Sequence, residues 1–175
     1  MFGYYLIYIV VQPVTNIEDV RMKSIDNWNQ EYGVSHQNRT NKLIHYLCVP
    51  AIFMTVLGIL WSIPFPDIGS PQWLNWAVVL ALPAMFFYFA LSFVVGFGMS
   101  VFTALTILFL QYWHNSMSVS VLTMSIVVFV IAWVLQFIGH HIEGKKPSFL
   151  KDVQFLLIGP VWILCHFYKK LGIRY

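Results

Sequence analysis

The sequence predicts an all-α integral membrane protein with about four transmembrane helices and a further re-entrant or interfacial helix near the C-terminus. Hydrophobic residues make up 59% of the chain and formally charged residues only 10%, a balance that excludes disorder and an ordinary water-soluble domain. Between Lys42 and Glu143, Asp67 is the single residue with a formal charge. Lipid can solvate roughly 100 residues of this kind, and they accommodate about four spans of about 20 residues each.

Turn chemistry sets the limits of the spans within this apolar stretch. The four spans are expected over about residues 43–63, 73–95, 99–113 and 119–138. The first ends because the segment from Pro64 to Pro71 is rich in proline and cannot continue a helix. Gly96-Phe97-Gly98 is expected to form the tight connection before a short third span, which His114-Asn115-Ser116 ends. The fourth apolar run is too long for a strand, so we expect a helix there.

A further apolar stretch follows the fourth span, over residues 153–168, and Gly159-Pro160 interrupts it. A fifth complete crossing would place Lys169, Lys170 and Arg174 on the outer side, against the positive-inside rule. We therefore expect a broken helix that is re-entrant or interfacial, with its backbone covered by protein.

The basic residues orient the predicted spans. All ten lysines and arginines precede the first span or follow the fourth, so both termini are expected on the cytosolic side of a bacterial inner membrane or an endoplasmic reticulum. They are too few to indicate nucleic-acid binding. Met22 offers an alternative start, which would make residues 1–21 a dispensable extension of a single membrane domain over residues 22–175.

Six histidines occur in this apolar chain, and on the predicted topology His36, His45, His140 and His141 approach the cytosolic surface. Ionisable groups are costly near the membrane core and therefore indicate function. Two imidazoles and one carboxylate form the ligand set of non-haem Fe(II) oxygenases, and Glu143 shares a helix face with His140. The spacing alone is equally compatible with interfacial or structural histidines, and Glu143 with an ion pair to a nearby lysine.

The remaining histidines depend on how the chain folds around them. His36 and His45 would lie about 14 Å apart along a continuous helix, so Asn38-Arg39-Thr40-Asn41 is expected to supply the turn or helix cap that folds His36 back. His114 falls on the opposite side of the membrane and is interpreted as interfacial. His166 becomes a ligand candidate if the C-terminal segment folds back onto the cytosolic side.

Two segments resemble the signature of one family. The run from His36 to His45, followed by Val49-Pro50, resembles the pattern H-x-N-x-x-N-x-x-I-H…VP. The run from Gln136 to Pro160 resembles the second block, Q-F-x-G-H…E…P…P. Both blocks belong to the DUF962, or Mpo1-like, family, and the matching region runs from about Lys23 to the C-terminus.

This resemblance implies an Fe(II)-dependent dioxygenase of fatty-acid α-oxidation, which uses O₂ to shorten long-chain 2-hydroxy fatty acids by one carbon. It implies His36, His45 and His140 as catalytic metal ligands. The chain has one residue fewer before Glu143 than the family pattern, and it has His166 where the family has a glutamate, so both are further ligand candidates. Basic residues near the same membrane surface are candidates for binding the substrate carboxylate: Arg39, Lys145 and Lys146.

Two alternatives belong to other classes. The chain could be a non-enzymatic lipid-binding or transport-associated membrane protein whose histidines are structural or pH-sensing. Such a protein would carry no stoichiometric transition metal after purification. An oxidoreductase with the same metal and another lipid substrate is the second alternative, because cavity shape and not the signature selects the chain length and head group.

Overall fold

A computed structural model describes residues 23–66, 69, 73–147 and 154–175. Within these ranges the regular secondary structure is entirely helical, which confirms the all-α prediction. The described residues form six helices: α1 (Ile25–Gly33), α2 (Arg39–Trp61), α3 (Trp76–Leu91), α4 (Phe93–Ser116), α5 (Val121–Glu143) and α6 (Phe155–Leu171). The predicted extension over residues 1–21 lies outside the described residues.

Helices α2, α4 and α5 are long and apolar enough to cross a membrane, judged by length and composition. Helix α3 is also apolar but has only 16 residues, fewer than the usual span of about 20. These four helices correspond in order to the four predicted spans. The proline-rich segment ends α2 near the predicted position, since its last helical residue is Trp61.

The predicted connection at Gly96-Phe97-Gly98 is wrong, because both glycines lie inside α4. The break instead falls at Ser92, whose backbone is extended and whose side chain caps α4 by accepting from the Val95 amide. The third span is therefore a full 24-residue helix, and the second is the short one. The glycines serve packing, since a Cβ on Gly96 would collide with Phe89 and one on Gly98 with side chains of α6.

Helices α2 and α5 form an antiparallel pair that approaches closely at two glycines. A Cβ on Gly58, near the end of α2, would collide with Ser125 near the start of α5. A Cβ on Gly139, near the end of α5, would collide with Asn41 near the start of α2. The beginning of α2 and the end of α5 therefore lie side by side, as expected for the four predicted spans.

Helix α6 runs without a break, so the interruption predicted at Gly159-Pro160 is wrong. Proline removes one helix hydrogen bond, and packing compensates for that loss here. Pro160 is buried, and an added Cβ on Gly159 would lie 3.1 Å from the Tyr32 hydroxyl. Helix α1 covers this part of α6, with Trp28 edge-on to Phe155 at a centroid distance of 5.3 Å. The re-entrant or interfacial depth of α6 stays a prediction.

Candidate metal centre

Three histidines meet where α2 begins and α5 ends. One ligand nitrogen from each of His36, His45 and His140 lies within 4.8 Å of the other two. The ring centroids are separated by 4.4 to 5.0 Å, and each of the three residues is at most 5% exposed. Three imidazole nitrogens at such separations can bind one metal ion.

Main-chain carbonyls orient two of these rings. Nδ1 of His45 lies 2.9 Å from the carbonyl oxygen of Asn41, one helical turn earlier in α2. Nδ1 of His36, in the loop before α2, lies 2.6 Å from the carbonyl oxygen of Tyr32. A carbonyl only accepts, so Nδ1 donates its proton in both cases and Nε2 keeps the lone pair that a metal requires.

The cluster holds polar atoms that lack hydrogen-bond partners among the described residues. His36 Nε2 and His140 Nδ1 are both buried in this state, which is rare because an unpaired buried polar atom costs free energy. Burial lowers the pKa of His36 to about 4, since desolvation disfavours the charged imidazolium. The ring is therefore neutral at pH 7, as a metal ligand must be. The donor atoms, their burial and their neutral state fit a metal ion.

Tyr32 supports the cluster and was not predicted from the sequence. Its ring stacks on that of His36 at a centroid distance of 4.2 Å and an interplanar angle of 8°, and burial raises the pKa of its phenol. The sequence feature that could have indicated this role is its position four residues before His36. Tyr32 lies near the end of α1, and the loop that carries His36 follows directly.

Glu143, the predicted carboxylate ligand, lies outside the group of three histidines. Its Oε1 accepts from the Gln37 amide at 2.8 Å, and its Oε2 accepts from the Asn38 amide at 2.7 Å and from Asn41 Nδ2 at 3.1 Å. Asn38 in turn caps α2, its side chain accepting from two amides of the first turn. The carboxylate thus fixes the loop that carries His36 to the end of α5, which carries His140, and it stabilises the amino end of α2.

Replacing Glu143 with alanine is expected to lower metal affinity about 10- to 100-fold, the range seen when groups that orient metal ligands are lost. The cause is release of the loop that positions His36. Metal titration of the purified apo-protein measures the change. Glu31→Ala is the matched control, because Glu31 is exposed and pairs only with Lys23 among the described residues. Unchanged metal affinity in the Glu143 variant would contradict this role.

The structure places the other candidate residues away from the cluster. His166 lies on α6 beside Tyr46, with ring centroids 5.4 Å apart, and it is not part of the group. The three candidate carboxylate-binding residues are exposed, one at the start of α2 and two after the end of α5: Arg39, Lys145 and Lys146. They therefore lie at the same end of the helix bundle as the histidines.

A cavity of about 540 Å³ extends from the three histidines between α2, α3, α5 and α6. Along α2 its lining runs from His45 to Leu60, which is about 22 Å of helix. Apart from the histidines, Tyr32, a tryptophan and two glutamines, its lining consists of residues with apolar side chains or glycine. Typical ones are Val49, Phe53, Leu57, Ala81, Ala84 and Phe129. The volume lies in the usual range for small-molecule sites.

Comparisons with known proteins identify the family of the chain. A family model described as "2-hydroxy-palmitic acid dioxygenase Mpo1-like" matches residues 22–171. The 2-hydroxy-palmitic acid dioxygenase MPO1 of Saccharomyces cerevisiae is 28% identical over 143 residues, which cover 81% of this chain and 78% of the yeast protein. No solved structure matches the chain. The family match contains all three clustered histidines and Glu143.

Proposed function

This chain belongs to the Mpo1-like family, and from that premise we propose that it is an Fe(II)-dependent dioxygenase of long-chain 2-hydroxy fatty acids. The product is the fatty acid one carbon shorter. One observation carries the proposal: three buried histidines that can hold a metal stand at the head of a long apolar cavity. The dioxygenase name of the yeast relative supports the same reaction class.

The proposed reaction balances without a further co-substrate. A 2-hydroxy acid and O₂ give the shortened acid, CO₂ and water. The bond between C1 and C2 breaks, C1 leaves as CO₂, and C2 is oxidised from an alcohol to a carboxyl carbon while O₂ is reduced. When bound, Fe(II) supplies the redox chemistry that O₂ requires and a positive charge for the substrate carboxylate and 2-hydroxyl.

The protein's own part is to hold the metal and to exclude water. His36, His45 and His140 offer three neutral nitrogens, which leave other coordination positions open. These are the three ligands that the family resemblance implies, and the further candidate Glu143 is instead engaged by three N–H donors. Tyr32 covers one face of the His36 ring.

The apolar cavity suits the acyl chain of the proposed substrate. Each methylene that leaves water for an apolar lining contributes about 0.8 kcal/mol, so a long chain binds with most of its length inside. The exposed Arg39, Lys145 and Lys146 draw carboxylates toward the same end of the bundle through their positive charge. The positive-inside rule puts this end and both termini on the cytosolic side, where the head group meets the metal.

The decisive experiment uses protein purified without oxygen, loaded with Fe(II) and given 2-hydroxyhexadecanoate labelled with ¹³C at C1. The expected result is one O₂ consumed and one labelled CO₂ released for each pentadecanoate formed, measured with an oxygen electrode and mass spectrometry. Hexadecanoate, which lacks the hydroxyl, is the control substrate. Folded, iron-loaded protein that consumes no O₂ with 2-hydroxy acids of any chain length would contradict the proposal and favour a lipid-binding protein.

A further inference from the structure

Gln136 is a buried polar residue that lines the cavity and takes no part in the proposed metal binding. It lies on α5 one helical turn before His140, it is 7% exposed, and it lines the cavity. No hydrogen bond joins its side-chain amide to another residue in the part of the chain that the structure describes. The side chain lines the cavity and its amide has no partner there, so it is suited to bind a polar group that enters the cavity.

The position of Gln136 indicates which part of a ligand it meets. Cavity-lining residues follow one another along α5 in the order Phe129, Trp133, Gln136 and His140. The first two border the apolar part, and the last belongs to the metal cluster. Gln136 therefore stands at the boundary, with apolar lining on one side and the histidines on the other.

The proposed substrate has a polar group at the corresponding place. With the carboxylate at the histidines and the acyl chain in the apolar part, C2 lies between the two. A 2-hydroxyl both donates and accepts a hydrogen bond, as a glutamine amide does. A carboxylate only accepts, and it lies at the end of the molecule farthest from the apolar lining.

We propose that Gln136 binds the 2-hydroxyl group and thereby selects 2-hydroxy acids over unsubstituted fatty acids. This proposal rests on the proposed function for the identity of the substrate. A site built to bind a hydroxyl rejects the analogue that lacks it, because the buried amide then stays unpaired. The residue acts on recognition and not on metal binding.

Equilibrium binding without oxygen tests this proposal. The metal-loaded full chain, wild type or carrying Gln136→Leu, is titrated with 2-hydroxyhexadecanoate and with hexadecanoate. The variant is expected to bind the hydroxy acid about 10-fold more weakly, the effect of one lost hydrogen bond. Its affinity for hexadecanoate should stay equal or rise, because leucine leaves no unpaired amide beside the bound chain, and its metal content should equal that of the wild type.

Two further variants keep the test decisive. Gln111→Leu makes the same chemical change on the exposed side of α4 and should leave both affinities unchanged. Gln136→Met replaces the amide with an unbranched apolar chain and should have the same effect as leucine. The test therefore stands even if one of the two variants folds poorly. Equal weakening toward both acids, or loss of metal from both Gln136 variants, would overturn the proposal. Because binding is read without turnover, absence of dioxygenase activity would contradict the proposed function and leave this test intact.

Discussion

Alanine in place of His36, His45 or His140 is expected to empty the metal site of the purified protein and to abolish oxygen consumption with it. Each residue supplies one of three nitrogens that lie within 4.8 Å of one another. Losing a group that only orients a ligand lowers metal affinity about 10- to 100-fold, so losing a ligand should exceed about 100-fold. Elemental analysis of protein prepared without oxygen measures the occupancy of each variant.

Two other histidines provide matched controls for these substitutions. His141 is the next residue after His140 but is exposed, and His166 lies on α6 outside the cluster. Alanine at either position should leave one metal per chain. Full occupancy in all three cluster variants would contradict the site. Loss of metal from the His166 variant would show that the ligand set extends beyond these three residues.

The convergence of the histidines could be predicted from the sequence, because an even number of crossings returns His140 to the side that His45 leaves. The helix cap at Asn38 was also predictable from its residue type. The role of Glu143 was not predictable from the sequence. Two of its three partners are main-chain amides more than 100 residues earlier in the chain, and the spacing of side chains carries no information about which amides face a carboxylate.

Helix limits were predictable where proline or a short polar segment marks them, as at His114-Asn115-Ser116, since α4 ends at Ser116. The proline-rich segment placed the end of α2 within a few residues of Trp61. The break at Ser92 has neither proline nor glycine, because one extended residue with a capping side chain is sufficient. Gly96 and Gly98 are more typical of a turn than Ser92 is, yet in the structure they allow neighbouring side chains and helices to pack closely.

The cavity could not be predicted from hydropathy. Leu57, Ala81 and Phe129 line it, while Leu82 and Phe86 are exposed on α3. All five are apolar, since a helix in lipid is hydrophobic around its whole circumference and its pattern does not separate a lipid-facing side chain from a cavity-facing one. Only the packing of α3 against α2 and α4 distinguishes them.

Replacing Ala81 with tryptophan is expected to lower the maximum length of the acyl chain that the protein accepts. Ala81 is buried, lines the cavity and lies near the start of α3, at the end of the bundle away from the histidines. Excluding two or three methylenes forfeits about 2 kcal/mol, or more than tenfold in affinity. Turnover of 2-hydroxyhexadecanoate should therefore fall at least about tenfold, while that of 2-hydroxyoctanoate should change by less than about twofold.

The same substitution at Ala84 makes this a graded test. Ala84 lines the cavity one helical turn nearer the histidines, so tryptophan there should exclude shorter acids than tryptophan at Ala81 does. Ala90→Trp is the control, because Ala90 is exposed near the end of the same helix. Metal content separates filling of the cavity from misfolding, since filling leaves the three histidines occupied. If both cavity variants lost activity equally at every chain length while retaining their metal, the acyl chain would not lie in this cavity.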